Sequence, residues 1–318
     1  MTILISGGAG FIGTKLISEL LKDNHNIVVL DSFLEQIHGK NPKLVEGVTY
    51  IKGDVRNVSD WESSLSHDPS VVFHLASETG TGQSMDEIDR YVSTNINGTS
   101  IMLDLINSGK YNVKKVILTS SRAVYGDTEN VETNYELKPL SVYGVTKLTQ
   151  EQLLTTSCKV PYTILRFQNV FGDGQSLNNP YTGIISIFST IFGEDGDVEI
   201  YDNGTPTRDF VYVGDIVDAT LLCVGNNVSD YKTYNVGSGV SSSILNVTKK
   251  LRGLIGSSST INITNYHRDG DIIHAIGDIT KIYDDLGWSP KYSVEDGLTR
   301  FVAWFKNTEN ILHSKRVV

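Results

Sequence analysis

The feature that most constrains this chain is a run of small residues, Gly7-Gly8-Ala9-Gly10-Phe11-Ile12-Gly13. It lies between an apolar stretch, Ile3-Leu4-Ile5-Ser6, and a segment of helical periodicity. Ile12, Leu16, Leu20 and Leu21 fall on one helix face, which predicts a strand over 3–6 and a helix over 11–22. Glycines spaced G-x-x-G-x-x-G allow a tight turn, let the backbone approach a pyrophosphate, and let helix pack closely on strand. The helix N-terminus adds unpaired N–H donors and the positive end of the helix dipole. Gly7, Gly10, Phe11, Ile12 and Gly13 are therefore expected to hold a dinucleotide.

The rest of the first half repeats that unit. Strands are predicted at 27–31, 48–52, 71–76, 113–120 and 162–167. The helices between them include one opened by a capping box at Ser59-Asp60-Trp61-Glu62, a mostly helical stretch over 84–108, and another over 141–157. Alternation of this kind implies an α/β fold with a doubly wound parallel sheet of the Rossmann type. After Phe171 the pattern breaks into Gly, Asn and Pro. The expected organisation is a dinucleotide-binding domain over 1–171, to which 210–236 returns, and a smaller C-terminal α/β substrate lobe over 172–209 and 237–318. A strand at 207–213 is read as rejoining the main body.

Asp31 ends the second strand 18 residues past Gly13, where a carboxylate can hold an adenosine ribose diol. Ser32 and Phe33 follow, with no adjacent Arg or Lys for a 2′-phosphate, which favours NAD over NADP. Asp54 and Val55 are expected beside the adenine, and Leu75 and Ala76, in His74-Leu75-Ala76-Ser77, beside the cofactor path. His74 itself reads as a satisfied core histidine. Tyr143 and Lys147 form Y-x-x-x-K and share a helix face. A cation near a phenol stabilises phenolate and makes a usable base.

Gly7-Gly10-Gly13, Asp31, Ser121 and Tyr143-Lys147 together resemble the extended short-chain dehydrogenase/reductases, in their nucleotide-sugar epimerase and dehydratase group. The resemblance implies Ser121, Tyr143 and Lys147 as the catalytic set, with Ser120 in support and Asn95 near the cofactor. It implies a substrate diphosphate held by Asn169, Arg208 and Arg268. Dehydratases of this group carry an Asp-Glu pair after the catalytic hydroxyl, and the related decarboxylases keep the Glu; here those positions are Arg122 and Ala123. What remains is oxidation and re-reduction at C4, without elimination. Three stretches, 30–39, 77–85 and 174–183, resemble the dTDP-L-rhamnose 4-epimerase subgroup, and imply Glu78, Thr79, Gln83 and Ser84 near the hexose. A UDP-hexose or hexuronate 4-epimerase, a 4-reductase that releases its cofactor, and a non-catalytic nucleotide-binding regulator are the other readings.

Composition bounds the partners. A formal net charge of -10 argues against nucleic acid and anionic membranes, and leaves a nucleotide-diphosphate sugar to be met by a few local cations. Cys158 and Cys223 are far apart and form no metal pattern, and no apolar run reaches membrane length. A cytoplasmic protein is expected, and the family resemblance implies a homodimer through helices around 84–108 and 141–157.

Overall fold

Strands β1 (Thr2–Ser6), β2 (Asn26–Asp31), β3 (Thr49–Lys52), β4 (Val71–His74), β5 (Lys115–Ser121), β6 (Tyr162–Phe167) and β7 (Lys232–Val236) form one sheet. Their order is β7-β6-β5-β4-β1-β2-β3, and every neighbouring pair is parallel. The computed structural model describes residues 1–316 except 41, 43, 178 and 268–271.

The central strands β1, β2, β4, β5 and β6 are buried on both faces because both are covered. Ile3, Ile5, Val29 and Phe73 point into one core with Leu16, Ile17 and Leu20 of the first helix (Phe11–Lys22). Leu4, Val28, Leu30 and Val72 point into the other, with Trp61, Leu65, Met102 and Leu154. Period-2 alternation along the strands thus sends successive residues to opposite helical layers. Chain order reverses between β1 and β4. That switch point opens a crevice at the carboxyl ends of the strands, where ligands of such sheets bind.

The smaller lobe is built from short sheets. Asn169–Phe171 pairs in parallel with Thr207–Tyr212, which pairs antiparallel with Ser241–Ser243. Val198–Ile200 pairs with Ile261–Ile263, and Thr128–Val131 with Ala275–Gly277. Two expectations are corrected here. The strand at 207–212 does not rejoin the main sheet; its ladder partner is Asn169–Phe171, and the return is made by the helix Val213–Leu221 and by β7. The capping box is absent, because the helix Val58–Leu65 starts after Asn57 and the Asp60 carboxylate accepts instead from the Asp54 N–H (2.8 Å) and Asn57 Nδ2 (3.0 Å). The stretch over 84–108 is mostly helical, as expected, with an interruption at Glu87 and a π-turn, Val92–Asn97, before Gly98–Asn107.

Candidate active site

β1 ends at Ser6 and the chain turns at Gly7, whose φ is +71°. A Cβ there would stand 2.6 Å from the Ala76 nitrogen, so the turn after β1 touches the turn after β4 at the switch point. Gly13 meets the loop in the same way: its Cβ would lie 2.5 Å from the Gly8 carbonyl oxygen. These two glycines bring backbone against backbone and leave the mouth of the first helix open to a ligand. Asp31 is buried, with its carboxylate accepting from the Ala9 N–H (3.0 Å) and the Phe33 N–H (2.9 Å). His38 Nε2 lies 3.2 Å from the same carboxylate, and its ring packs against Phe33. A carboxylate has about four lone-pair sites, so acceptor capacity is left for a diol.

From this point a continuous cleft of about 1500 Å³ runs to the small lobe. That exceeds the ~300–1,000 Å³ of a single drug-sized site and has room for a dinucleotide and a second ligand together. Gly7, Gly10, Phe11, Ile12, Gly13, Asp31, Ser32, Asp54, Val55, Leu75 and Ala76 line it in the first half, and Glu78, Thr79, Ser121, Tyr143, Lys147, Asn169 and Arg208 further along. Arg56 holds Asp54 from both its side chain (2.6 and 2.9 Å) and its N–H (2.9 Å), and these bonds keep the Asp54 carboxyl below its ordinary range.

β5 delivers Ser121, which caps a short turn by accepting the Ala123 N–H at 3.1 Å. The helix Val142–Ser157 delivers Tyr143 and Lys147, and its N-cap Ser141 accepts the Gly144 N–H at 3.1 Å. Tyr143 is hydrogen-bonded to Ser121, and Lys147 Nζ donates to the Thr119 carbonyl at 3.0 Å. Burial pushes the Tyr143 phenol up, and the Ser121 bond opposes it. Burial also pushes Lys147 down to about 7, against the pull of the Glu151 carboxylate. In the chain alone burial is the largest influence on both groups.

His74 is a core histidine, as expected. Its ring nitrogens lie 2.7 Å from Ser6 Oγ and 2.9 Å from Thr99 Oγ1, and burial, with the nearby Lys147 charge, pushes its pKa down to about 3.

Two expected residues stand behind the wall. Asn95 is wholly buried in the π-turn. Its oxygen accepts from the Glu78 N–H (2.8 Å) and Ser77 Oγ (3.0 Å), and its amide donates to the Glu78 carbonyl (3.1 Å) and Thr146 Oγ1 (2.9 Å). It rivets the Ser77-Glu78 loop to the helix of Tyr143. Ser84 is also buried and donates to the Thr81 carbonyl at 2.6 Å. Arg208 donates to the Thr207 and Ile273 carbonyls (2.9 and 3.2 Å) from the strand that pairs with Asn169–Phe171. Arg268 lies outside the described residues.

The profile of the NAD dependent epimerase/dehydratase family matches residues 3–237. The chain belongs to that family. It is 34% identical to a dTDP-L-rhamnose 4-epimerase of Burkholderia thailandensis, over 95% of this chain and 94% of that one. Among solved structures, a Thermotoga maritima UDP-glucose 4-epimerase with UDP-glucose superposes with a TM-score of 0.90 at 31% identity, covering 97% of this chain and 100% of that one. A Bacillus cereus UDP-glucuronic acid 4-epimerase, in complex with UDP-glucuronic acid and NAD, gives 0.87 at 30%, covering 97% and 100%. The family's cofactor is NAD, and the Gly7–Gly13 turn and the Asp31 carboxylate stand together in the cleft.

Sequence reasoning missed His38 beside Asp31, Thr94 and Thr119 in the wall, and Glu151 behind Lys147. It also missed the apolar end of the cleft, formed by Ile187, Phe188, Ile191, Ile200 and Tyr201. The helical spacing of Ile184, Ile187, Phe188 and Ile191 was the available signal for that end.

Proposed function

We propose that this NAD-dependent nucleotide-sugar 4-epimerase inverts C4 of a nucleotide-activated hexose through a transient 4-keto sugar, and that dTDP-L-rhamnose, giving dTDP-6-deoxy-L-talose, is its first candidate substrate. The observation that carries the reading is the meeting of Ser121, Tyr143 and Lys147 in a cleft that begins at the Gly7 turn and ends against Asn169 and Arg208. NAD supplies the hydride acceptor, the later hydride donor and a positive charge. Tyr143 takes the C4 hydroxyl proton and later returns it to the opposite configuration. Ser121 hydrogen-bonds the C4 oxygen, and Lys147 stabilises the phenolate. Asn169 and Arg208 tether the diphosphate, with Arg208 able to bind it bidentately. The tether keeps the keto sugar within reach while its ring turns over.

The dTDP-L-rhamnose assignment rests on likeness to the relative that bears that name. A UDP-hexose is the second reading, favoured by the fold shared with the Thermotoga enzyme. The test is NMR of sugars recovered after incubation with dTDP-, UDP-, CDP- and GDP-hexoses. Inversion of dTDP-L-rhamnose supports the first reading, inversion of UDP-glucose alone the second, and no inversion at C4 in any defeats both.

Assembly as a homodimer belongs to the same proposal. Ile88, Val92 and Val145 are exposed on the neighbouring helical segments that run from Ile88 and from Val142, and a monomer in light scattering would refute it. A cytoplasmic site fits two free cysteines. Among the described residues no helix is long and apolar enough to cross a membrane.

A further inference from the structure

The stretches 30–39, 77–85 and 174–183 are remote in sequence, yet one side chain joins them. Gln36 Nε2 donates to Gln83 Oε1 and to Asn179 Oδ1, both at 3.2 Å. Its own Oε1 accepts from Arg90 Nη2 at 3.0 Å, and that nitrogen also reaches Glu78 Oε2 at 2.9 Å. Neither Gln36 nor Gln83 lines the cleft, although the neighbours Leu34, Ile37, His38, Thr81, Gly82 and Met85 do. Gln36 and Gln83 therefore meet behind its wall, and Asn179, which does line the cleft, reaches back to Gln36. Asn179 belongs to a segment pinned at two further points. Asp173 pairs with Lys15 of the first helix. Tyr181 packs on Gly80, where an added Cβ would lie 3.0 Å from the Tyr181 Cβ. Gln83 thus does not read the hexose, as the subgroup likeness implied; it ties the wall together.

We infer that Gln36, Gln83 and Asn179 form a clasp between the two lobes that keeps NAD in the protein between the two hydride transfers. The inference rests on the epimerase reading, in which loss of the reduced cofactor strands a keto sugar. The clasp joins the turn after Asp31, which holds the adenosine end, to the small-lobe segment that crosses the first helix. Opening it frees the cofactor's way out. Each amide hydrogen bond is modest, and losing both bonds donated by Gln36 is expected to raise NAD release about tenfold.

The experiment compares wild type with Gln36→Ala and Asn179→Ala in the full-length holoenzyme, by exchange of bound NAD for isotope-labelled NAD on desalting columns. The clasp predicts exchange about tenfold faster in Gln36→Ala and faster in Asn179→Ala, with activity that falls on dilution and returns with added NAD. Circular dichroism confirms that the half-exposed Gln36 site still folds. Wild-type exchange in both variants overturns the clasp and leaves the epimerase reading standing. A wild-type protein that binds no NAD overturns the cofactor reading, and the clasp with it.

Discussion

Lys147→Met should make the cofactor-free protein more stable at neutral pH while removing its activity. Burial lowers Lys147 from the ordinary 10.5 to about 7. Each tenfold loss of proton affinity is worth about 1.36 kcal/mol, so holding the ammonium in the folded chain costs ~5 kcal/mol. Above pH 10.5 both folded and unfolded lysine are neutral and the cost is nil. As pH falls from 10.5 towards 7 the unfolded chain takes up the proton and the folded one does not, so stability falls. Below about 7 both are charged and the cost is constant. Methionine removes the charge but leaves the Thr119 carbonyl without its 3.0 Å donor, a loss of ~1 kcal/mol. The variant should be about 3 kcal/mol more stable at pH 7, and the sign should reverse near pH 10. Urea unfolding midpoints of NAD-stripped proteins from pH 6 to 10 measure this. A difference that does not change with pH, or a variant less stable throughout, would refute the desolvated lysine.

Tyr143→Phe should keep NAD yet lose about a thousandfold or more in turnover, the scale of a removed acid–base group, read by product NMR beside cofactor content. Gly13→Ala drives a methyl to 2.5 Å from the Gly8 carbonyl; a thermal melt should show a loss of roughly 1–3 kcal/mol, and NAD binding should weaken with it. Glu151→Gln withdraws the charge that raises Lys147, so the alkaline limb of the rate profile should move to lower pH. The same change strips Arg166 of its buried partner at 2.6 Å, at a cost of ~3–5 kcal/mol in stability.

The parts of the site legible in the sequence are those written locally. The glycine turn, Asp31 and Y-x-x-x-K each rest on spacing within one βα unit or one helix turn, and the structure sets all of them along one cleft. What was illegible depends on distant partners. Glu151 is identified by Ser120 Oγ (2.5 Å) and by the Arg166 guanidinium, residues on two other elements. Gln36 gains meaning only from Gln83 and Asn179, 47 and 143 residues away. Asn95 and Ser84 were expected from the family likeness, which does not say what their side chains bond; the structure buries both. The break at Glu87 (φ -119°, ψ 52°) and the π-turn set the phase in which these side chains face, and nothing local in the sequence announces either. The strand at 207–212 has the alternation of any strand, and nothing local says that its partner is Asn169–Phe171 rather than the main sheet.

The dipeptide after Ser121 narrows the chemistry further than its residue types alone suggest. Arg122 and Ala123 begin a short 3-10 turn, and both are buried away from the cleft. Arg122 donates to the carbonyls of Gly126 (2.6 Å), Thr128 (2.6 Å) and His274 (3.1 Å), and so binds the Thr128–Val131 strand to the segment that leads into Ala275–Gly277. Water elimination needs an acid and a base at the sugar. Here the two positions that would carry them hold a structural cation and a methyl group. Glu78, a cleft-lining carboxylate of the 77–85 stretch, is committed to Arg90 at 2.9 Å. Arg122→Asp would leave three carbonyls without their donor. Substituting an acid pair at 122 and 123 is therefore expected to loosen the joint between the Thr128–Val131 strand and the segment before Ala275, read as a lower melting temperature.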